Sequence, residues 1–162
     1  MIKAVISDFS RVLLVPKDKS YSGGLNELHQ KLAQQTDYNP LVYFELNLRL
    51  LDFYSSLKDT YSLFVFTSET IQNAPEFRAY LEPVFDEMIS ALDLGVNKKD
   101  IQAYTKLVAK LNLKVDEVMY IDDSVDNVEA ATQAGLKAIL FKDNLEVIEK
   151  IRLLSLSREA DG

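Results

Sequence analysis

The sequence predicts a three-layer α/β domain, in which a parallel sheet carries helices on both of its faces. Apolar runs that suit buried parallel strands alternate with helical patterns along most of the chain. The connections between them are short, and this alternation is typical of a parallel sheet with crossover helices. A length of 162 residues is enough for one domain with a continuous core. We therefore expect a single domain over residues 1–154, followed by a polar tail over residues 155–162.

Five apolar segments are the predicted strands of this sheet. They are Ile2–Ser7, Ser62–Phe66, Glu87–Ala91, Val118–Ile121 and Lys137–Phe141. In open parallel sheets, ligands bind in the crevice outside the carboxyl ends of the strands. The residues that directly follow these segments are therefore the place to look for a functional site.

The helical patterns lie between these segments. Asn39 and Pro40 are a cap and a first-turn proline, and they predict a helix that continues to about Lys58. Asp100 predicts the start of an amphipathic helix that runs to Asn112. The other predicted helices are Pro75–Leu81, a helix that starts at Ser124 or Asp126 and ends before Gly135, and Asn144–Leu154.

Composition and charge exclude several classes of function. The chain has no cysteine, so disulfides and thiolate chemistry are excluded, and a zinc site would need histidine and carboxylates alone. The net charge of −7 opposes nonspecific binding to nucleic acid, and no apolar run approaches the roughly 18 residues of a membrane span. The N-terminus has the pattern of a strand rather than of a secretory signal, so we expect a cytoplasmic protein.

Polar residues follow four of the predicted strands. Asp8 follows the first predicted strand, and Thr67 follows the second. The third strand is followed by a segment that ends at Lys98, and the fourth is followed by Asp122 and Asp123. Adjacent carboxylates repel each other unless a cation or solvent separates them, so three converging carboxylates suit a hard cation such as Mg²⁺. Lysine and threonine side chains nearby would complete a phosphate-sized pocket. Taken singly, each of these acids can also be an ordinary helix cap or turn residue.

The order of these residues resembles the four short motifs of the haloacid dehalogenase-like hydrolase superfamily, whose fold is a Rossmann-like sheet. The motifs are an Asp after strand one, a Thr or Ser after strand two, a Lys before a helix, and an acidic pair after a later strand. In this chain they are Val5-Ile6-Ser7-Asp8-Phe9-Ser10, Leu63-Phe64-Val65-Phe66-Thr67, Gly95-Val96-Asn97-Lys98-Lys99-Asp100 and Tyr120-Ile121-Asp122-Asp123-Ser124. The stretch from Val125 to Gly135 is also similar to the subgroup with a helical cap.

The resemblance implies a nucleophile and a metal site. Asp8 would attack a phosphoryl group and form an aspartyl-phosphate that water then hydrolyses. Mg²⁺ would be held by the Asp8 carboxylate, the Ser10 backbone carbonyl and the acidic pair, with Asp123 favoured over Asp122. The expected substrate is a small phosphorylated molecule.

The resemblance also implies groups that bind the phosphoryl oxygens. Thr67 would donate a hydrogen bond to one of them, and Lys98 would neutralise charge around the nucleophile. Ser68, beside the motif threonine, and Arg11, whose position is usually glycine in the family, are further candidates for substrate binding.

Ser10 departs from the pattern of the family's phosphatases, which usually carry a second Asp at this position as general acid and base. A serine hydroxyl cannot exchange protons near neutral pH, and loss of a general acid/base lowers rates by about 10²–10⁴-fold. Three interpretations stay open: a phosphohydrolase whose leaving group needs no proton or gets it elsewhere, another aspartate-nucleophile hydrolase, or a noncatalytic binder of a phosphorylated ligand or protein partner. Response-regulator receiver domains use similar residues, but their acidic pair follows the first strand.

The inserted segment between the first two motifs is short. Asp8 and Thr67 are separated by 58 residues, which leaves about residues 15–38 for a reduced cap of one or two short helices. A small cap predicts an open site that takes a bulky substrate, is completed by a partner, or selects little. Exposed aromatic residues could form a dimer face, so a homodimer or a protein partner stays open. His29 is expected on the surface of this segment.

Overall fold

The computed structural model describes the backbone of residues 1–160 and the side chains of residues 1–156. The strands of the main sheet are β1 (Ala4–Ser7), β4 (Ser62–Thr67), β5 (Glu87–Ser90), β6 (Val118–Asp122) and β7 (Lys137–Leu140). They are parallel and lie in the order β5-β4-β1-β6-β7. The predicted parallel sheet is confirmed, and each predicted strand matches to within two residues at either end.

A second, two-stranded sheet corrects the helix predicted from Asn39 to Lys58. β2 (Leu14–Pro16) pairs antiparallel with β3 (Phe44–Leu46), and β3 separates α2 (Pro40–Tyr43) from α3 (Leu48–Ser55). The two ends of β3 are buried while its central residue is exposed, and this period of two belongs to a strand.

With one exception, the remaining helices agree with the prediction apart from their ends. They are α1 (Leu25–Leu32), α4 (Pro75–Leu81), α5 (Ala91–Leu94), α6 (Ile101–Lys110), α7 (Val125–Ala134) and α8 (Asn144–Ala160). The exception is α5, which was not predicted. Ser124, and not Asp126, caps α7 by accepting a hydrogen bond from the Asn127 N–H group at 3.4 Å. Gly135 ends this helix at a φ of 104°, where a side chain would be strained. α8 continues past Leu154, so the predicted tail is helical to Ala160, and its residues 161–162 lie outside the described residues.

Two apolar cores lie on opposite faces of the sheet and complete the three layers. Val5 and Val65 of the sheet point to one face, where α3, α4 and α8 contribute buried side chains. Ala4 and Ile6 point to the other face, where α6 and α7 pack. The alternation along β1 is the reason that the strand is apolar throughout, because both of its faces are covered.

The segment between β2 and β3, residues 17–43, carries α1 and α2 and overlaps the predicted insertion. It is fastened to the loops that follow β1 and β4. The guanidinium group of Arg11 donates hydrogen bonds to the Gly23 carbonyl at 2.7 Å and to the Tyr21 carbonyl at 3.3 Å. The N–H group of Ile71 donates to the Asn26 side-chain oxygen at 3.0 Å. The segment therefore lies against the edge of the sheet at which β1 and β4 end.

His29 of this segment is half-buried rather than fully exposed. Its Nδ1 atom shares a hydrogen bond of 2.8 Å with the Tyr38 hydroxyl. Partial burial lowers the pKa of His29, although the carboxylate of Glu76 opposes this. None of the helices in residues 1–160 is long and apolar enough to cross a membrane.

Candidate active site

Three carboxylates converge where the adjacent strands β1 and β6 end. Ser7 pairs with Ile121 across these strands, so the next residue of each strand, Asp8 or Asp122, lies at the same level. The Asp8 N–H group donates to the Ile121 carbonyl at 2.8 Å and fixes this alignment. The ligand oxygens of Asp8, Asp122 and Asp123 all lie within 4.8 Å of one another. The predicted convergence of these acids at one edge of the sheet is present in the structure.

Lys98 lies buried between two of these carboxylates. Its Nζ atom is 2.8 Å from Asp8 Oδ1 and 2.8 Å from Asp122 Oδ2. It also donates to the carbonyl of Phe66 at 3.0 Å, and the rings of Phe66 and Tyr120 lie 5.4 and 5.7 Å from the ammonium group. Two anions, a carbonyl and two aromatic faces together compensate the buried charge of Lys98.

The ionisation of the cluster follows from its burial. Burial raises the pKa of Asp8 to about 7, although Lys98 opposes this, and the charge of Asp122 adds to the rise. Burial and the charge of Asp122 also raise the pKa of Asp123. Burial disfavours the ammonium group of Lys98, but the two carboxylates outweigh it and raise its pKa above the ordinary value. One lysine therefore does not balance the three acids.

The two members of the acidic pair have different environments. Asp122 is fully buried: its Oδ1 accepts the Ser124 N–H group at 2.8 Å, and its Oδ2 accepts the Tyr120 hydroxyl and the Asn127 amide, the latter at 3.1 Å. Asp123 is half-buried, with its carboxylate beside that of Asp8. Asp122 thus anchors the lysine, and Asp123 is the member of the pair better placed to meet a cation.

This set of oxygens fits a divalent cation. Mg²⁺ prefers hard carboxylate and carbonyl oxygens, and Asp8 and Asp123 present such oxygens side by side. Burial and the charge of Asp122 raise the pKa values of these two acids, and a divalent cation between them would favour their ionised forms. The donor set therefore agrees with the predicted magnesium site.

The structure brings Thr67 to the same edge and leaves Ser68 exposed. β4 is the other neighbour of β1, and Ser7 pairs with Val65, so Thr67 lies two residues beyond the level of Ser7. The side chain of Thr67 is buried. The carbonyl of Ser68 accepts the Leu92 N–H group at 3.1 Å, which holds this loop against the start of α5.

Ser10 and Arg11 occupy the loop after the predicted nucleophile. The buried Oγ atom of Ser10 has no hydrogen-bond partner among residues 1–160. Arg11 has a φ of 62°, in the left-handed region that favours glycine. Its guanidinium group donates hydrogen bonds to the carbonyls of Tyr21 and Gly23 and thereby stabilises the inserted segment. Its predicted role in substrate binding stays a prediction.

Three residues that support the cluster were not anticipated from the sequence. Tyr120 and Asn127 donate to Asp122, and the hydroxyl of Tyr104 donates to the Lys98 carbonyl at 2.7 Å. Two signals could have identified the first two. A tyrosine two residues before a strand-ending aspartate shares its face of the sheet, and an asparagine in the first turn of the next helix lies near the strand end.

The fold is shared with solved structures of hydrolases. A haloacid dehalogenase family enzyme from Bacteroides thetaiotaomicron, in complex with magnesium and inorganic phosphate, superposes with a TM-score of 0.64 at 13% identity, covering 88% of this chain and 95% of that one. A predicted haloacid dehalogenase-like hydrolase from Porphyromonas gingivalis gives a TM-score of 0.64 at 18% identity, with 95% and 98% covered.

Curated relatives match over shorter stretches. A drimenol cyclase from Aspergillus calidoustus is 28% identical over 64 residues, 40% of this chain and 12% of that protein. Enolase-phosphatase E1 of Persephonella marina is 40% identical over 43 residues, 26% of this chain and 19% of the enzyme. A sesquiterpene phosphatase from Aspergillus oryzae is 26% identical over 86 residues, 50% and 44% of the two chains. The chain thus spans less than half the length of each of these relatives.

The family model described as haloacid dehalogenase-like hydrolase matches residues 45–141, which include the end of β4, the Lys98 loop and the acidic pair. This match covers more than half of the chain, and the fold and the order of the site residues agree with it. The chain belongs to the haloacid dehalogenase-like hydrolase family.

Proposed function

We propose that this protein is a magnesium-dependent phosphohydrolase that acts on phosphate monoesters through Asp8. The observation that carries the proposal is the placement of the Asp8 carboxylate at the carboxyl edge of the sheet, 2.8 Å from the buried ammonium group of Lys98 and beside Asp123. Two of the curated relatives are phosphatases by name, and a neighbour in fold binds magnesium and inorganic phosphate, which supports this substrate class.

The residues of the site would divide the work as follows. Asp8, Asp123 and the Ser10 carbonyl would hold Mg²⁺, which when bound neutralises charge on the phosphoryl oxygens. The Asp8 carboxylate attacks phosphorus, and the bond to the leaving oxygen breaks, so that an aspartyl-phosphate forms. Lys98 offsets the negative charge, and the Thr67 hydroxyl donates to a phosphoryl oxygen. Water then attacks phosphorus, releasing inorganic phosphate and restoring the Asp8 carboxylate.

Ser10 restricts the leaving groups that such a site can use. An alkoxide needs a proton as it departs, and the hydroxyl of Ser10 cannot supply one near neutral pH. An aryl or enol oxygen is a weaker base and leaves without that proton. We therefore propose that the favoured substrates are phosphate monoesters with stable leaving groups.

The test is hydrolysis of an activated aryl phosphate, with and without Mg²⁺, by the wild type and Asp8→Asn. Turnover should require Mg²⁺ and should fall to the uncatalysed level in the variant, because the amide cannot act as the nucleophile. Asp126→Asn is the matched control, since Asp126 is an exposed acid that pairs with Lys99 at 3.1 Å. Turnover that survives in Asp8→Asn would contradict the proposed nucleophile.

The second candidate is a noncatalytic protein that binds a phosphorylated ligand, and the serine at position 10 favours it. A carboxyl group at this position would normally move the proton, and the serine lacks that capacity. Calorimetric titration with inorganic phosphate and Mg²⁺ tests this function in wild type and Ser10→Asp. Binding by both proteins with no aryl phosphate turnover in either would favour the binder over the hydrolase.

A further inference from the structure

The outer side of α8 carries exposed leucines among its charged residues. Val147 and Ile151 face the core and are buried, whereas Leu145 and Leu153 are 68% and 60% exposed. Surface helices normally keep their large apolar side chains on the side that faces the core. The exposed leucines of α8 therefore mark a candidate contact with another molecule.

Leu145 and Leu153 border a groove between α3 and α8. The groove has a volume of about 820 Å³, and half-buried Phe53 and Ile148 form its apolar floor. The guanidinium group of Arg152 lies 5.6 Å from the centre of the Phe53 ring and joins the two helices at the surface. We call this groove and its borders the α3–α8 face.

The charges around the α3–α8 face balance. Arg49 and Asp52 on α3 and Glu149 and Arg152 on α8 contribute two positive and two negative charges, although the whole chain has a net charge of −7. Among the side chains of residues 1–156, which the structure describes, none forms an ion pair with these four. Their charges are therefore available to a partner.

We propose that the α3–α8 face is the contact between two copies of this chain. In a two-fold contact the same surface is on both sides, so each positive charge needs a negative charge on an identical surface. The face meets this condition, and its apolar floor provides the area to be buried. Binding to a nucleic acid would need a positively charged surface, whereas the charges of this face balance.

The size of the face predicts a weak dimer. The face comprises residues 145–153 of α8 and the 8 residues of α3, so each side of it is about 12–14 Å long. Together they offer on the order of 300 Å² per copy, against about 800 Å² per partner in a standard interface. Dimerisation should therefore depend on protein concentration in the micromolar range or above.

The first test measures molecular mass by sedimentation over a range of concentrations of the full chain. The wild type should shift from monomer to dimer, and Leu153→Asp should weaken the dimer by about tenfold or more, because a carboxylate would be buried in the contact. Leu92→Asp is the matched control, since Leu92 is 64% exposed on α5, away from this face, and the dimer should be unchanged.

The second test uses charge complementation. The Arg49→Glu/Arg152→Glu variant makes the face wholly acidic, and the Asp52→Arg/Glu149→Arg variant makes it wholly basic. Each variant alone should be monomeric because identical faces repel, whereas an equimolar mixture should form a dimer at least as tight as the wild type. A wild type that stays monomeric at every concentration, or a dimer that all of these variants leave unchanged, would overturn the proposal.

Discussion

The two sides of the candidate active site differ in how fully their polar groups are satisfied. On the β6 side, Asp122 accepts hydrogen bonds on both oxygens, and Lys98 is enclosed by two anions, a carbonyl and two rings. On the side of the loop after β1, the Ser10 hydroxyl has no partner among the described residues and Arg11 holds a left-handed backbone. Lys98 and the carboxylate that anchors it are thus firmly supported, whereas the position that carries a proton-transferring acid in the family's phosphatases is a serine without a partner.

The largest expected effect is a gain of activity in Ser10→Asp. A carboxyl group there would protonate a poor leaving group, so hydrolysis of an alkyl phosphate should rise by about 10²–10⁴-fold. Hydrolysis of an aryl phosphate should change little, because its leaving group hardly needs the proton. Steady-state kinetics on both substrates measures the ratio, and Ser10→Asn, which cannot exchange a proton, is the control. An equal gain on both substrates would show that the serine does not limit proton transfer.

The next largest effect is a loss of stability in Lys98→Met. Removing one partner of a buried ion pair leaves carboxylates without compensation and costs about 3–5 kcal/mol in the free energy of unfolding. Lys99→Met removes the neighbouring exposed lysine, which pairs with Asp126 at the surface, and should cost less than about 1 kcal/mol. Urea unfolding at one pH compares the two variants. Similar losses in both would mean that the β6 side is not the firmly held half of the site.

A third effect concerns pH and the metal. In the metal-free fold the pKa of Asp8 is raised from 3.8 to about 7, so the folded state keeps a proton that the unfolded state releases. The stability that the protonated Asp8 contributes is fully present below pH 3.8. It declines as pH rises and is lost above about 7, because the folded state must then hold a buried charge. Urea unfolding in a chelator should show this decline relative to Asp8→Asn, and saturating Mg²⁺ should remove it. An identical pH dependence of unfolding in both proteins would contradict the raised pKa of Asp8 in the folded state.

The smallest effect is expected from Arg11→Gly. Glycine suits the left-handed backbone, so the free energy of unfolding should change by no more than about 1 kcal/mol. The loop that contains Tyr21 and Gly23 loses its two hydrogen bonds, so trypsin should cleave several-fold faster at Lys17 and Lys19 nearby. Arg11→Lys should give an intermediate rate because an ammonium group cannot span both carbonyls as the guanidinium does. Unchanged cleavage in Arg11→Gly would show that the arginine does not hold the inserted segment.

The main sheet and the acid cluster could be predicted because both depend on local patterns. Strands buried on both faces are apolar throughout, and the carboxyl ends of parallel strands meet at one edge, so Asp8 and Asp122 were expected at that edge. That their strands are direct neighbours is shown by the structure alone. The partners of each oxygen could not be predicted. That Tyr120 and Asn127 both donate to Asp122 depends on how β6, α7 and the Lys98 loop pack.

The hairpin of β2 and β3 was missed because its strands are too short for their pattern to stand out. Leu41, Phe44, Leu48 and Leu51 are spaced three or four residues apart, which fits one continuous helix equally well. Long-range contacts favour the strand over the helix. The Asn47 side chain donates to the Val12 carbonyl at 3.0 Å, and the side-chain amides of Asn47 and Asn144 donate hydrogen bonds to each other. Such contacts leave no signal in the local sequence.

The pairing of β2 with β3 also affects how the chain can vary. The two strands hold the ends of residues 17–43 side by side. The chain of the segment therefore joins the main sheet and its acids through this strand pair, whatever the segment contains. The entropic cost of closing a loop rises slowly with its length, by about 0.6 kcal/mol for each doubling. Longer or differently folded insertions can therefore replace this one at little cost to the rest of the domain. The surface of the inserted segment can diversify while the carboxylates and the lysine keep their positions.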